Sequence, residues 1–170
     1  MIFEEQAKRQ TDVLERAKYY ELAARTNQDP YLLYRAARNF QEAAEEKEWI
    51  EKGEILIYAR DLFEDIQDDQ PKAIERIKEI ESRAPEFHQQ AKRSQTTLEK
   101  ADLYEISGLL DPDGSYSLYR AARNYQKVAV ESPLKKIGML RKALSIYQEI
   151  QDKEPLATAR INEVQQALEL

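Results

Sequence analysis

The chain has 170 residues and a mass of 19.9 kDa, room for one domain or two small ones with a self-standing core. Only 4 glycines and 6 prolines interrupt it, 34% of its residues are charged and 42% are hydrophobic, which excludes a disordered chain and points to an all-α fold. The net charge of −6 and pI of about 5.1 oppose binding to nucleic acid or to an anionic membrane surface.

Apolar residues at helical spacing predict eight helices. The first, over about 3–26, carries Phe3, Ala7, Leu14, Ala17 and Ala24 on one stripe; the opening residues 1–5 offer neither the basic segment nor the apolar run of a secretory signal. Asp29, just before Pro30, reads as the N-cap of a second helix over 31–47 with Leu33, Ala37, Phe40 and Ala44 inside. The third, over 50–67, buries Ile55, Ala59, Leu62 and Ile66, and its run from Ile55 to Ala59 is far too short to span a bilayer. Helices over 72–83, 86–108, 116–131, 134–151 and 156–168 follow, with Ser115 as the expected N-cap of the sixth. Asp111 to Ser115 reads as a turn, because Ala122 stands where a calcium loop needs its closing Glu.

An internal duplication organises these segments. Leu33-Tyr34-Arg35-Ala36-Ala37-Arg38-Asn39-Phe40-Gln41 returns from Leu118 to Gln126 with Phe40 replaced by Tyr125 and nothing else changed. Upstream, Phe3, Gln6, Ala7, Lys8 and Arg9 return as Phe87, Gln90, Ala91, Lys92 and Arg93, and downstream Ile66-Gln67-Asp68 with Pro71 returns as Ile150-Gln151-Asp152 with Pro155. The chain therefore divides into residues 1–85 and 86–170, each expected to hold four helices. The offset between equivalent residues is 84, then 85 across the central motif, then 84 again, which places one extra and one missing residue in loops.

Composition also limits the chemistry. No cysteine excludes disulfides, thiolate metal centres and cysteine nucleophiles, and the single histidine, His88, cannot build a helical di-iron site. Its neighbours Glu86, Phe87 and Gln89 carry no motif for Ser–His–Asp chemistry. The expectation is a cytoplasmic, non-enzymatic protein with no catalytic residue, no cofactor and no bound metal, without membrane insertion and without a nucleic-acid partner.

Ala59-x3-Phe63-x2-Ile66-x4-Pro71 and Ala143-x3-Tyr147-x2-Ile150-x4-Pro155 resemble the second helix of a tetratricopeptide repeat. Pro30, Pro71, Pro112 and Pro155 recur every 41 to 43 residues, longer than that family's 34, so the hairpins look more like those of the soluble attachment-protein adaptors. The resemblance implies a stack of helical hairpins, a tetratricopeptide-like α-solenoid, with a surface that binds a protein or peptide as an adaptor or scaffold. The rival architecture is two four-helix bundles joined near Pro85. A small acidic chaperone for a client protein and a self-assembling structural protein are the alternative functions.

The duplicated motif supplies the candidate binding residues: Tyr34, Arg35, Arg38 and Asn39, with Tyr119, Arg120, Arg123 and Asn124. On a helix both arginines and the Asn share a side opposite Ala36, Ala37 and Phe40, with Tyr34 at the margin. An Arg pair beside an amide suits a carboxylate or an extended backbone. The same side chains suit a second role, clamping helices, with Arg38 on Glu42 and Arg35 on Glu15 or Glu21. Lys8-Arg9 and Lys92-Arg93 read as solvated faces and most tyrosines as core.

The copies differ in charge. Residues 1–85 hold 14 basic and 20 acidic side chains, residues 86–170 hold 12 of each. Glu42, Glu45, Glu46, Glu48 and Glu51 crowd one corner, while the related corner of the second copy carries Lys135, Lys136, Arg141 and Lys142. This asymmetry predicts salt-sensitive head-to-tail self-association.

Overall fold

A computed structural model describes residues 2–169, among which every regular element is helical and no strand occurs. The chain forms two compact units, Met1–Ser82 and Arg83–Leu170. The first holds α1 (Ile2–Arg9), α2 (Val13–Asn27), α3 (Pro30–Ala44), α4 (Trp49–Ile66) and α5 (Lys72–Glu81). The second holds α6 (Ala84–Arg93), α7 (Thr97–Leu110), α8 (Ser115–Glu131), a 3-10 turn (Pro133–Lys135), α9 (Lys136–Ile150) and α10 (Leu156–Glu169).

Each unit thus has five α-helices where the periodicity predicts four. The difference lies in the long first helix, which breaks at Gln10 in one copy and at Ser94 in the other. Asp12 starts α2 by accepting the Glu15 N–H at 2.8 Å, and Arg16 folds back to donate to the Gln10 carbonyl at 3.0 and 3.1 Å, closing the end of α1. In the second copy Thr96 accepts from the Glu99 N–H at 3.2 Å, while the Ser94 hydroxyl donates to the Gln90 carbonyl at 3.0 Å. Asp12-x-x-Glu15 and Thr96-x-x-Glu99 have the spacing of a helix start, a signal that the continuous apolar stripe conceals.

Within each unit the close packing joins helices adjacent in the chain, α1 through α5 and α6 through α10. The middle helices α3 and α8 each pack between two neighbours, with Ala36, Ala37, Ala121 and Ala122 all fully covered. Asp29 caps α3 as expected, accepting from the Tyr31 and Leu32 N–H groups at 2.8 and 3.3 Å. The second cap differs from expectation: Ser115 is already helical and Gly114 takes the capping place.

That change accommodates the extra residue of the second copy. A Cβ on Gly114 would lie 2.1 Å from the Gly108 carbonyl oxygen, and one on Gly108 would lie 2.6 Å from Leu118 Cγ. Two glycines let the start of α8 cross directly over the end of α7. The shorter first-unit loop instead turns at Gln28, whose φ of 51° is left-handed. Asp111 to Gly114 is a turn, held by Asp111 Oδ1 accepting from the Asp113 N–H at 2.9 Å.

The copies also tie their hairpins together with different residues. In the first unit the Tyr58 hydroxyl on α4 donates to Glu21 on α2 at 2.6 Å, beside Arg25, and the Tyr58 ring stands edge-on to Phe40. In the second, Tyr125 occupies the place of Phe40 and brings the hydroxyl itself, 2.6 Å from Asp102 and against Glu105, while Lys142 in the place of Tyr58 pairs with Glu105 at 2.7 Å. Burial first, then the two carboxylates, pushes the Tyr125 hydroxyl pKa far above the ordinary tyrosine range.

Two outcomes follow for stability. Gly114→Ala should cost about 1–3 kcal/mol in denaturant unfolding because a backbone carbonyl blocks the added methyl, whereas Gly138→Ala, with nothing within 4 Å, should be neutral or stabilising. Tyr125→Phe should cost about 1–3 kcal/mol; adding Lys142→Tyr rebuilds the first unit's arrangement and should recover part of that loss. A strictly additive pair would contradict the exchange.

Candidate partner-binding clefts

The exposed side of α3 carries Tyr31, Arg35, Arg38, Asn39 and Glu42, spaced so that all five share one stripe. The equivalent stripe of α8 is Tyr116, Arg120, Arg123, Asn124 and Lys127. Both border open polar clefts: one of about 530 Å³ between Lys8, Arg16, Tyr20, Arg35, Arg38 and Asn39, and one of about 340 Å³ at Arg120, Arg123, Asn124 and Lys127.

Arg35 is fixed at the inner edge of the first cleft. Its guanidinium lies 4.2 Å from the centre of the Tyr20 ring and donates to the Tyr20 hydroxyl, with Glu4 a further 3.9 Å away. The expected partners Glu15 and Glu21 are engaged elsewhere, with Lys18 at 2.6 Å and with Arg25 and Tyr58. Arg120 repeats the stacking, 4.5 Å from the Tyr104 ring and 6.0 Å from that of Tyr116. Such cation–π contacts contribute about 0.5–2 kcal/mol and hold the planar group at a defined angle.

Arg38 and Arg123 differ from these inner arginines. Both are exposed, and among the described residues neither makes a hydrogen bond or an ion pair; the expected Arg38–Glu42 bridge does not form. Asn39 and Asn124 each turn one amide N–H back to the helix carbonyls of Arg35 and Arg120, at 2.7 and 2.8 Å, so their orientation is set by their own helix.

The two motif tyrosines leave this group. Tyr34 does not flank the arginine stripe but stands edge-on to Phe63 of α4, 5.6 Å between centres, and sits beside Arg76 of α5, helping to hold that guanidinium's pKa above its ordinary value. Tyr119 is buried, packs on Tyr147 of α9 at 5.8 Å and sits beside Arg160 of α10, helping to hold that guanidinium's pKa above its ordinary value. In each copy that arginine also holds a glutamate, Arg76 on Glu79 at 2.9 Å and Arg160 on Glu163 at 2.6 Å. These tyrosines clamp three helices together. The motif is therefore divided: Tyr34 and Tyr119 serve packing, Arg35 and Arg120 stack at the cleft edge, and Arg38 and Arg123 face solvent. Tyr20 and Lys127 line the clefts although the motif does not contain them, and Tyr104 carries the Arg120 guanidinium at the second; the spacing of Tyr20 and Tyr104 in the duplicated α2 and α7 was their only trace in the sequence.

The clefts have diverged in charge. Glu4 beside Lys8 in the first copy, paired at 2.8 Å, is His88 in the second, and Glu42 is Lys127. The His88 ring lies edge-on to Tyr104 and shares a 3.0 Å hydrogen bond with Ser117. Burial, then Lys92 and Arg120, holds its pKa below the usual 6.5.

Among the described residues no group of three or more His, Cys, Asp or Glu side chains could hold a metal, and no helix is long and apolar enough to cross a membrane. No family model, no curated protein and no solved structure matches this chain.

With its folded pKa lowered, His88 stays neutral where the unfolded chain would take up a proton. Its contribution to stability is present above pH 6.5 and is lost as the pH drops from there through the lower folded pKa. NMR titration of this one histidine should give a midpoint below 6.5, and Arg120→Ala should move it upward; a midpoint unaffected by that change would separate the two groups.

Proposed function

We propose that the chain is a non-enzymatic helical-repeat module that binds a protein or peptide segment along the exposed stripes of α3 and α8. One observation carries the reading. Arg38 and Arg123 are retained in both copies of a duplicated unit, yet neither contributes a bond to its own fold. Beside each, a stacked guanidinium and an oriented Asn amide present donors for carboxylate or backbone oxygens in an open cleft.

The tetratricopeptide-like reading is supported within each unit by the order of packing. Helices that close-pack only on their chain neighbours form a ladder of hairpins, whereas a closed bundle also packs its first helix on its last. An adaptor or scaffold role follows from a surface of this kind. A client-binding chaperone would use the same clefts.

The two arginine pairs separate binding from folding. Arg38→Ala with Arg123→Ala should leave the unfolding free energy within about 0.5 kcal/mol while reducing retention of partner proteins at least about tenfold, about 1.4 kcal/mol. Arg35→Ala with Arg120→Ala should lower stability, because the tyrosine stacking is lost. Affinity capture on the intact chain and both variants, quantified by mass spectrometry with unfolding curves alongside, measures both effects. Equal capture by the Arg38/Arg123 variant would overturn the assignment.

A further inference from the structure

The hairpin corner between α3 and α4 and the corner between α8 and α9 occupy equivalent places in the two units and have opposite character. At the first, Glu42, Glu45, Glu46, Glu48 and Glu51 are exposed. Lys52 offsets Glu45 at 3.1 Å and Lys47 offsets Glu51 at 3.3 Å, while Glu42, Glu46 and Glu48 have no cation in ion-pair range among the described residues. Half-buried Trp49 and Ile50 stand in the middle of these carboxylates.

At the second corner Lys135, Lys136 and Arg141 are exposed and without a carboxylate partner among the described residues. They surround apolar side chains that the fold leaves uncovered: Leu134 is fully exposed, Val130 is 84% exposed and Ile137 60%. An apolar groove of about 440 Å³ opens beside them, lined by Ala129, Val130, Pro133, Lys136, Leu140 and Ala167. By the offset of the duplication, Val130 replaces Glu45 and Ile137 replaces Gly53. Neither side chain is buried by its own unit, so helix packing does not account for either replacement.

We infer that the chain associates with a second copy of itself, the acidic α3–α4 corner of one molecule seating on the basic and apolar α8–α9 corner of another. Three carboxylates without cations face three cations without carboxylates, and Trp49 and Ile50 supply the apolar surface that Leu134, Val130 and the groove require. Charge sets the pairing and its rate, and apolar contact supplies the affinity. Because the two surfaces differ, a dimer leaves one of each free, and association continues unless the geometry closes a ring.

Sedimentation of the intact chain from micromolar to submillimolar concentration is the test, read with the emission of Trp49, the single tryptophan. In low salt the mass should rise at least about twofold with concentration and the emission should change in step; high salt should reverse both. Leu134→Glu should leave a monomer. Lys135→Glu with Lys136→Glu should be monomeric, as should Glu46→Lys with Glu48→Lys, since each gives one molecule two corners of like sign. Mixing those two charge-reversed proteins should restore association. All five side chains are exposed, so helical content and melting should not change. A monomer at every concentration in low salt overturns the proposal and leaves the apolar corner to a foreign partner. Association that survives Leu134→Glu and both charge reversals overturns it as well. The arginines of the α3 and α8 stripes are untouched, so this result is independent of the clefts.

Discussion

Close approach of helices at paired alanines is the constraint on which each unit rests. Ala36 and Ala37 on α3, with Ala17 on α2 and Ala59 on α4, are entirely excluded from solvent, and Ala121, Ala122, Ala101 and Ala143 repeat the set. A larger side chain at any of these places would push the hairpins apart, with a cost of a few kcal/mol for overpacking. Small residues inside also determine what happens outside: with one face of α3 or α8 packed against its neighbours, the long arginines leave from the other side, and the clefts open there.

Around that seam the copies found different solutions to one problem. A carboxylate at Glu21 or Glu105 needs a partner from the neighbouring hairpin. The first unit supplies a tyrosine hydroxyl from α4; the second moves the hydroxyl to α8 and puts a lysine on α9, with the Lys142 ammonium 4.4 Å from the centre of the Tyr125 ring. Phe40 to Tyr125 and Tyr58 to Lys142 are thus one change, not two. Neither residue alone would satisfy the group it meets, since a half-buried carboxylate or hydroxyl without a partner costs more than the bond is worth.

Divergence on the surface has a different pattern. Packing residues are kept or exchanged in matched sets, Glu4 to His88 among them, since Ser117 in the place of buried Leu32 shares a hydrogen bond with His88, whereas Glu42 to Lys127 and Glu45 to Val130 alter charge at exposed positions. Electrostatic free energy at exposed positions is small within one chain and screened by salt. The same charges act strongly on an approaching molecule, where they add over a whole surface. The surface differences between the units therefore bear on what each unit meets.

The sequence by itself determined the all-α character, the duplication, the stripe of buried alanines and the place of most helices, because hydrophobic period and repeat are local and one-dimensional. It also determined that Arg38 and Arg123 point away from Ala37 and Ala122, which follows from 3.6 residues per turn. Tertiary structure decided the rest. The break before Asp12 and Thr96 depends on carbonyls finding donors across a turn, so an unbroken apolar stripe ran past it. Tyr34 and Arg35 are consecutive and receive opposite tasks because one meets Phe63 and the other Tyr20, contacts between helices that no spacing along the chain encodes.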